Sequence, residues 1–221
     1  MSPRGPIGLA PGAPREAAGQ DAAKYNSSNP VVRWLLARWT GRLLAVVGPV
    51  TGTLLDIGVG EGLCLERVLA GPDVTPRSVA GVEYRFNKAQ VARRLSGVGV
   101  AVGDAGMVPF PDGIGDLVLC IEVLEHLPTV APAVAELARV TARPAGRCVV
   151  SVPWEPWFRL GNLGRGKNLR RLGNDPEHIG SFTSQRLHRV LTPHFEQVRV
   201  EPAFPWLVAD ARRPRERSAD H

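Results

Sequence analysis

The run Asp56-Ile57-Gly58-Val59-Gly60-Glu61-Gly62 has the make-up of a loop that receives a nucleotide-like ligand. Glycines at alternate positions let the backbone approach a ligand with no Cβ in the way, and permit φ > 0 where the turn needs it. The run continues the apolar stretch that begins at Thr53, which reads as a buried strand. It precedes Leu63, Leu65, Val68 and Leu69 at helical spacing. Strand, glycine turn and helix together bring backbone N–H groups and a helix N-terminus against the ligand. The spacing G-x-G-x-G is one residue tighter than the dinucleotide fingerprint. Asp56, near the strand's carboxyl end, supplies an acceptor aimed into the crevice.

Other acids close other apolar runs. Glu83 ends Val79 to Val82, Asp104 and Ala105 follow Val98 to Val102, and Glu122 follows Asp116 to Ile121. In open α/β sheets ligands bind beyond the carboxyl ends of the strands, so these four acids share one crest. Glu122, Glu125 and His126 have the spacing i, i+3, i+4, which on a helical turn projects all three from one face. Two carboxylates and an imidazole there can hold a divalent ion, Mg²⁺ or Mn²⁺ by the carboxylates, Zn²⁺ or Fe²⁺ by the imidazole. The other reading is that Glu125 and His126 bond the local backbone. His178 precedes a helix that Thr183 can cap. It reads as a general base, or as a capping or core residue.

Taken together, D-x-G-x-G-x-G from Asp56 to Gly62, the acids Glu83 and Asp104, the E-V-L-E-H run from Glu122 to His126, and the turn Ala142-Arg143-Pro144-Ala145-Gly146 resemble the class I S-adenosylmethionine-dependent methyltransferases. The likeness covers about residues 25 to 200, in order. It departs at Ala145, where the family usually has glycine, in a turn that carries no chemistry. The resemblance implies S-adenosylmethionine as cofactor, held by Asp56, Gly58, Gly60, Gly62, Glu83, Tyr84, Asp104, Ala105 and Ile121, with Glu83 accepting both ribose hydroxyls. E-V-L-E-H is also similar to the ubiquinone-type O-methyltransferases. With a later histidine it is similar to the small-RNA 2′-O-methyltransferases. Carried over, Glu122, Glu125, His126 and His178 would hold a divalent metal ion, and His178 and Glu122 would be catalytic. The family also places a substrate-covering segment after its fifth strand.

The elements that position these residues follow in order. Residues 1 to 22 are rich in Pro, Gly and Ala without periodicity and read as a disordered arm. Asn29 caps a helix that Pro30 opens, and Leu35, Trp39, Leu43 and Val47 bury one face of it. Tyr25, just before, stands against ligand or against the domain. Strand and helix patterns then alternate: strands at 53–57, 79–82, 98–102, 116–121 and 147–152, helices at 86–95, 133–140 and 183–191. A half-exposed strand at 196–200 and a last one at 204–208 complete the series. This predicts an α/β fold, a Rossmann-like, doubly wound, seven-stranded, mostly parallel sheet with flanking helices. The domain spans 23–209, with an insertion at 153–182. Trp154, Trp157 and Arg159 in that insertion suit stacking on a planar ring and forking onto a carboxylate or phosphate. Residues 210–221, with Arg212, Arg213, Arg215 and Arg217, read as a basic disordered tail.

The 221 residues suit one core, and the charge of +6 permits nucleic acid, an acidic surface or an anionic substrate. Three cysteines without C-x-x-C spacing read as buried, reduced thiols. No apolar run reaches the length of a membrane span, and no signal-peptide core is visible, which predicts a cytoplasmic protein. The resemblance, with the aromatic and basic residues of the insertion, implies methyl transfer onto oxygen of an aromatic or anionic small molecule. An RNA 2′-O-methyltransferase and a non-catalytic cofactor-binding partner are the alternatives.

Overall fold

The computed structural model describes residue 25, residues 27–155, residue 157 and residues 180–216. Its elements are α1 (Pro30–Val47), β1 (Thr53–Ile57), α2 (Leu63–Leu69), β2 (Ser78–Glu83), α3 (Phe86–Ser96), β3 (Gly99–Val102), β4 (Leu117–Ile121), a 3₁₀ turn (Leu124–His126), α4 (Ala131–Val140), β5 (Arg147–Pro153), α5 (Ser184–Leu191), β6 (Phe195–Ala203) and β7 (Trp206–Pro214). They form a seven-stranded sheet in the order β3-β2-β1-β4-β5-β7-β6. β1 to β5 are parallel. β7 runs antiparallel between β5 and β6, so β6 points the same way as the first five. The carboxyl ends of β1 to β5 and of β6 therefore share one edge, the crest.

Two cores explain why the strands read as continuous apolar runs. Side chains alternate across a strand, so Val118 and Cys120 pack on one face with α4 and α5, while Leu117, Leu119 and Ile121 pack on the other with α1, α2 and α3. A strand buried on both faces can carry no polar alternation. Cys120 and Cys148 are buried in the first core, and burial pushes both thiols well up, which keeps them in the unreactive protonated form.

α1 starts as its sequence predicts. Asn29 Oδ1 accepts from the N–H of Val31 at 2.9 Å, ahead of Pro30 in the first turn. Its buried face is Leu36, Trp39, Leu43 and Val47, with Leu35 half-buried. Trp39 Nε1 donates to Ser151 Oγ at 3.0 Å, and at the far end Arg147 donates to the carbonyl of Val47 at 2.6 Å. The helix thus descends from the crest along β5.

The end of the chain departs from expectation. Asp210 to Pro214 belong to β7, and Arg212 pairs with Asp210 at 2.8 Å. The strand expected to end at Val208 runs on because β7 is enclosed by β5 and β6 along its length, which buries Ala209 and Ala211. The basic tail therefore does not begin at residue 210. Residues 217–221 and the arm 1–22 lie outside the described residues.

Candidate active site

The glycine loop lies across the ends of β1 and β2. The N–H groups of Gly58 and Val59 both donate to Val82 O, at 2.8 and 3.0 Å. Gly58, Gly60 and Gly62 adopt φ of 83°, 58° and 85°. At Gly58 the demand is steric as well, because a Cβ there would lie 2.2 Å from Val123 Cγ2 in the turn beyond β4. Gly58→Ala is expected to destabilise the fold by about 2 kcal/mol, the combined effect of left-handed strain and a stiff β-branched neighbour. Chemical denaturation checks it.

Glu83 braces this loop. Its Oε2 accepts from Gly60 N–H at 2.8 Å and its Oε1 from Arg85 N–H at 2.8 Å. Asp56 lies beside it in β1, only 2% exposed, and its Oδ1 has no hydrogen-bond partner among the described residues. A buried carboxylate oxygen left this way is costly unless a ligand group meets it. Burial, and after it the charge of Glu83, pushes the Asp56 carboxyl up to about 7. Asp104 is exposed two residues beyond β3 and accepts from Gly106 N–H at 2.6 Å; Ala105 is half-buried and Ile121 buried. Tyr84 projects into solvent, 73% exposed.

A knot of hydrogen bonds holds the loop that carries Asp104. Arg139, from α4, donates to the carbonyls of Val108 and Phe110 at 2.9 and 2.8 Å and to Asp112 at 2.7 Å. Glu136 bonds the same guanidinium and accepts from Val108 N–H at 2.8 Å. Nothing in the sequence pattern pointed to this pair beyond its i, i+3 spacing.

Beyond β4 the shared helical face expected for Glu122, Glu125 and His126 does not form. Glu122 has φ 57°, Val123 has φ −120°, and only Leu124 to His126 follow as a 3₁₀ turn. Glu125 is buried, while Glu122 and His126 are half-buried. Among the described residues no group of three His, Cys, Asp or Glu is arranged to hold a metal ion. His178 and Arg159 lie outside the described residues. The chain just after His178 returns to this turn, with Gly180 N–H donating to Glu125 O at 2.9 Å.

Glu122 has a partner that the sequence did not disclose. Trp206 Nε1 donates to its Oε1 at 2.6 Å. The Trp206 ring lies 5.2 Å from that of Trp39, and the Tyr25 ring lies 6.5 Å from that of Trp39. Arg67 of α2 sits 4.2 Å over the Tyr25 ring. Trp154 and Trp157 stand beyond β5, 6.4 Å apart, with Phe204 6.3 Å from Trp157. Glu122 and these aromatics line the crest beside β5 and β7, while Asp56, Glu83 and Asp104 stand on the β1-to-β3 side.

A doubly wound sheet of this order, with a glycine loop and carboxylates at its crest, defines a Rossmann-like nucleoside-binding domain. Residues 55–150 match the methyltransferase domain family. The chain is 34% identical over 203 residues to nocamycin O-methyltransferase of Saccharothrix syringae, covering 87% of this chain and 66% of that protein. It is 30% identical over 148 residues to demethylmenaquinone methyltransferase of Beutenbergia cavernae, covering 63% of this chain and 59% of the relative. The chain thus spans about six-tenths of the length of these curated relatives. In fold it is similar to a Thermotoga maritima methyltransferase described as a possible histamine N-methyltransferase. The TM-score is 0.60 at 21% identity, covering 84% of this chain and 95% of the other. The chain belongs to the class I S-adenosylmethionine-dependent methyltransferases. S-adenosylmethionine is the cofactor this family uses. The site suits it: the loop glycines leave room for close approach, and Asp56 Oδ1 is a buried acceptor awaiting a donor or cation. Among the described residues no helix is long and apolar enough to cross a membrane.

Proposed function

We propose that the chain methylates an oxygen atom of a small aromatic or anionic molecule. The observation that carries this reading is the division of the crest. Buried acids and a glycine loop lie on one side, and a carboxylate fixed by an indole N–H lies among aromatic rings on the other. The named activity of the nocamycin relative supports oxygen as the acceptor atom. S-adenosylmethionine supplies a methyl carbon made electrophilic by its positive sulfur, so the protein's main task is in-line placement of a nucleophile.

In this reading the backbone of Gly58, Gly60 and Gly62 admits the nucleoside, and Glu83 receives its ribose hydroxyls. Asp56 faces the cationic end, while Tyr84, Asp104, Ala105 and Ile121 border the adenine. Tyr25, Trp154 and Trp157 stack the acceptor. Glu122, held by Trp206, accepts the hydroxyl proton. Glu122 is in a left-handed conformation that non-glycine residues adopt at a cost of about 1–3 kcal/mol, which suits a side chain aimed for a purpose.

The test is incubation with methyl-labelled S-adenosylmethionine and a panel of phenols and carboxylic acids. Label is expected in a base-stable aryl ether or a base-labile ester. Cofactor binding without transfer to any acceptor would favour a non-catalytic partner instead. Label entering RNA, with binding that weakens steeply in salt, would favour the nucleic-acid reading.

A further inference from the structure

Among the described residues, nine bulky apolar side chains are more than a third exposed, and eight of them stand at the crest. Tyr84 and Phe86 directly follow β2, and Phe86 is 60% exposed. Val102 ends β3, and Met107, 77% exposed, comes five residues later. Trp157 follows β5, and Phe204 follows β6. Val31 and Trp34, the latter 60% exposed, lie in the opening turns of α1, above the level at which Trp39 meets Ser151. The ninth, Ile114, precedes β4 at the opposite end. Scattered apolar side chains are ordinary on a protein surface, but their gathering at one end marks an interaction face.

The spread of these residues points to the kind of partner. From β3 to β6 the crest is seven strands wide, roughly 29 Å at the usual strand spacing. That is too broad for a small molecule. The exposed charge on the α1 and α3 rim beside them is positive, while the crest acids Asp56, Glu83 and Glu122 are buried or half-buried. Arg33 and Arg38 are exposed on α1, with the Arg38 guanidinium 5.9 Å from the Trp34 ring. Neither α1 nor α3 contains an acid, and Arg85 stands between Tyr84 and Phe86. Asp104 is the exposed acid near Met107, and its carboxylate accepts from Gly106 N–H. Trp and apolar side chains interleaved with Arg are the make-up of surfaces that settle into the headgroup layer of acidic bilayers.

We propose that the crest docks on an anionic lipid bilayer. Trp34, Phe86 and Met107 enter the headgroup region and Arg33 and Arg38 meet lipid phosphates. The cofactor mouth then opens toward the bilayer. Docking requires no turnover, so its test stands apart from that of the methyl-transfer reading.

The experiment is flotation of the full chain with vesicles of phosphatidylcholine alone or with about 30% phosphatidylglycerol, a composition that gives the surface a negative potential. The chain is expected to float with the acidic vesicles and to stay behind with the neutral ones. Trp34→Ser with Phe86→Ser, and separately Arg33→Glu with Arg38→Glu, should each lower the bound fraction about ten-fold. Both pairs are surface changes, and unaltered circular dichroism and S-adenosylmethionine affinity verify the fold. Brominated acyl chains should quench tryptophan fluorescence in the wild type and less in the Trp34→Ser variant. Failure to float with acidic vesicles would overturn the proposal. So would flotation that survives loss of Trp34 and Phe86, which would mean adsorption by charge alone. A dimer in light scattering that the same apolar substitutions dissociate would also overturn it, assigning the crest to a second copy of the chain.

Discussion

Glu83→Ala is expected to weaken S-adenosylmethionine binding at least about a hundred-fold, since each hydrogen bond to a charged group is worth about 1.5–3 kcal/mol and in the proposed reading two ribose hydroxyls lose their acceptor. The loss has a second source within the protein. The carboxylate receives the N–H groups of Gly60 and Arg85, so its removal leaves two backbone donors unpaired and releases the middle of the glycine loop. Glu83→Gln keeps one acceptor oxygen and places an amide donor against an N–H group. Its affinity should fall between the two. Calorimetric titration of the three proteins decides the matter. Wild-type affinity in Glu83→Ala would remove Glu83 from the cofactor site.

Asp56 should make both stability and binding depend on pH. Its carboxyl is pushed from the ordinary 3.8 to about 7 by burial and by the neighbouring charge of Glu83. Over that interval the folded chain keeps a proton that the unfolded chain has lost. The stability it contributes is therefore complete below about pH 4 and is lost as pH rises to 7, at about 1.4 kcal/mol per unit and about 4 kcal/mol in all. Asp56→Asn is neutral throughout, so its stability relative to wild type should rise across the same window, which denaturation at several pH values would show. Binding has the opposite slope. A cationic cofactor favours the ionised carboxylate, so between pH 5 and 7 wild-type affinity should rise about ten-fold per unit. In Asp56→Asn the affinity should be lower at neutral pH and flat. A flat wild-type profile would place the cationic end elsewhere.

The crest position of the candidate acids depends on local pattern and is legible in the sequence. Asp56, Glu83, Asp104 and Glu122 are readable because each is an acid inside or within two residues of the carboxyl end of an apolar strand. The loop was readable because only glycine serves at Gly58, with positive φ and a valine methyl against its α-carbon. What stayed hidden depends on distant segments meeting. The insertion of β7 between β5 and β6 carries Trp206 to Glu122, and no periodicity reports which strand lies beside which. The i, i+3, i+4 argument failed at Glu122 to His126 because it presumed a helix, whereas Glu122 and Val123 turn the chain before any helical geometry begins. The tail was misjudged for the opposite reason. Its arginines suggest solvent, yet the exposed Arg212 and Arg213 continue a strand whose Ala209, Ala211 and Pro214 are buried.

Arg139 and Glu136 fasten the loop that carries Asp104 to α4, on the face of the sheet away from α1. The aromatics beside Glu122 are mounted on α1, β7 and the chain after β5. The two halves of the crest thus hang from separate supports. On the proposed assignment of the two halves, exchange of the second set for differently shaped residues would retune which acceptor is admitted, while the grip on the donor stays as it was. The architecture is accordingly one in which selectivity can drift, or be engineered, without a fresh start.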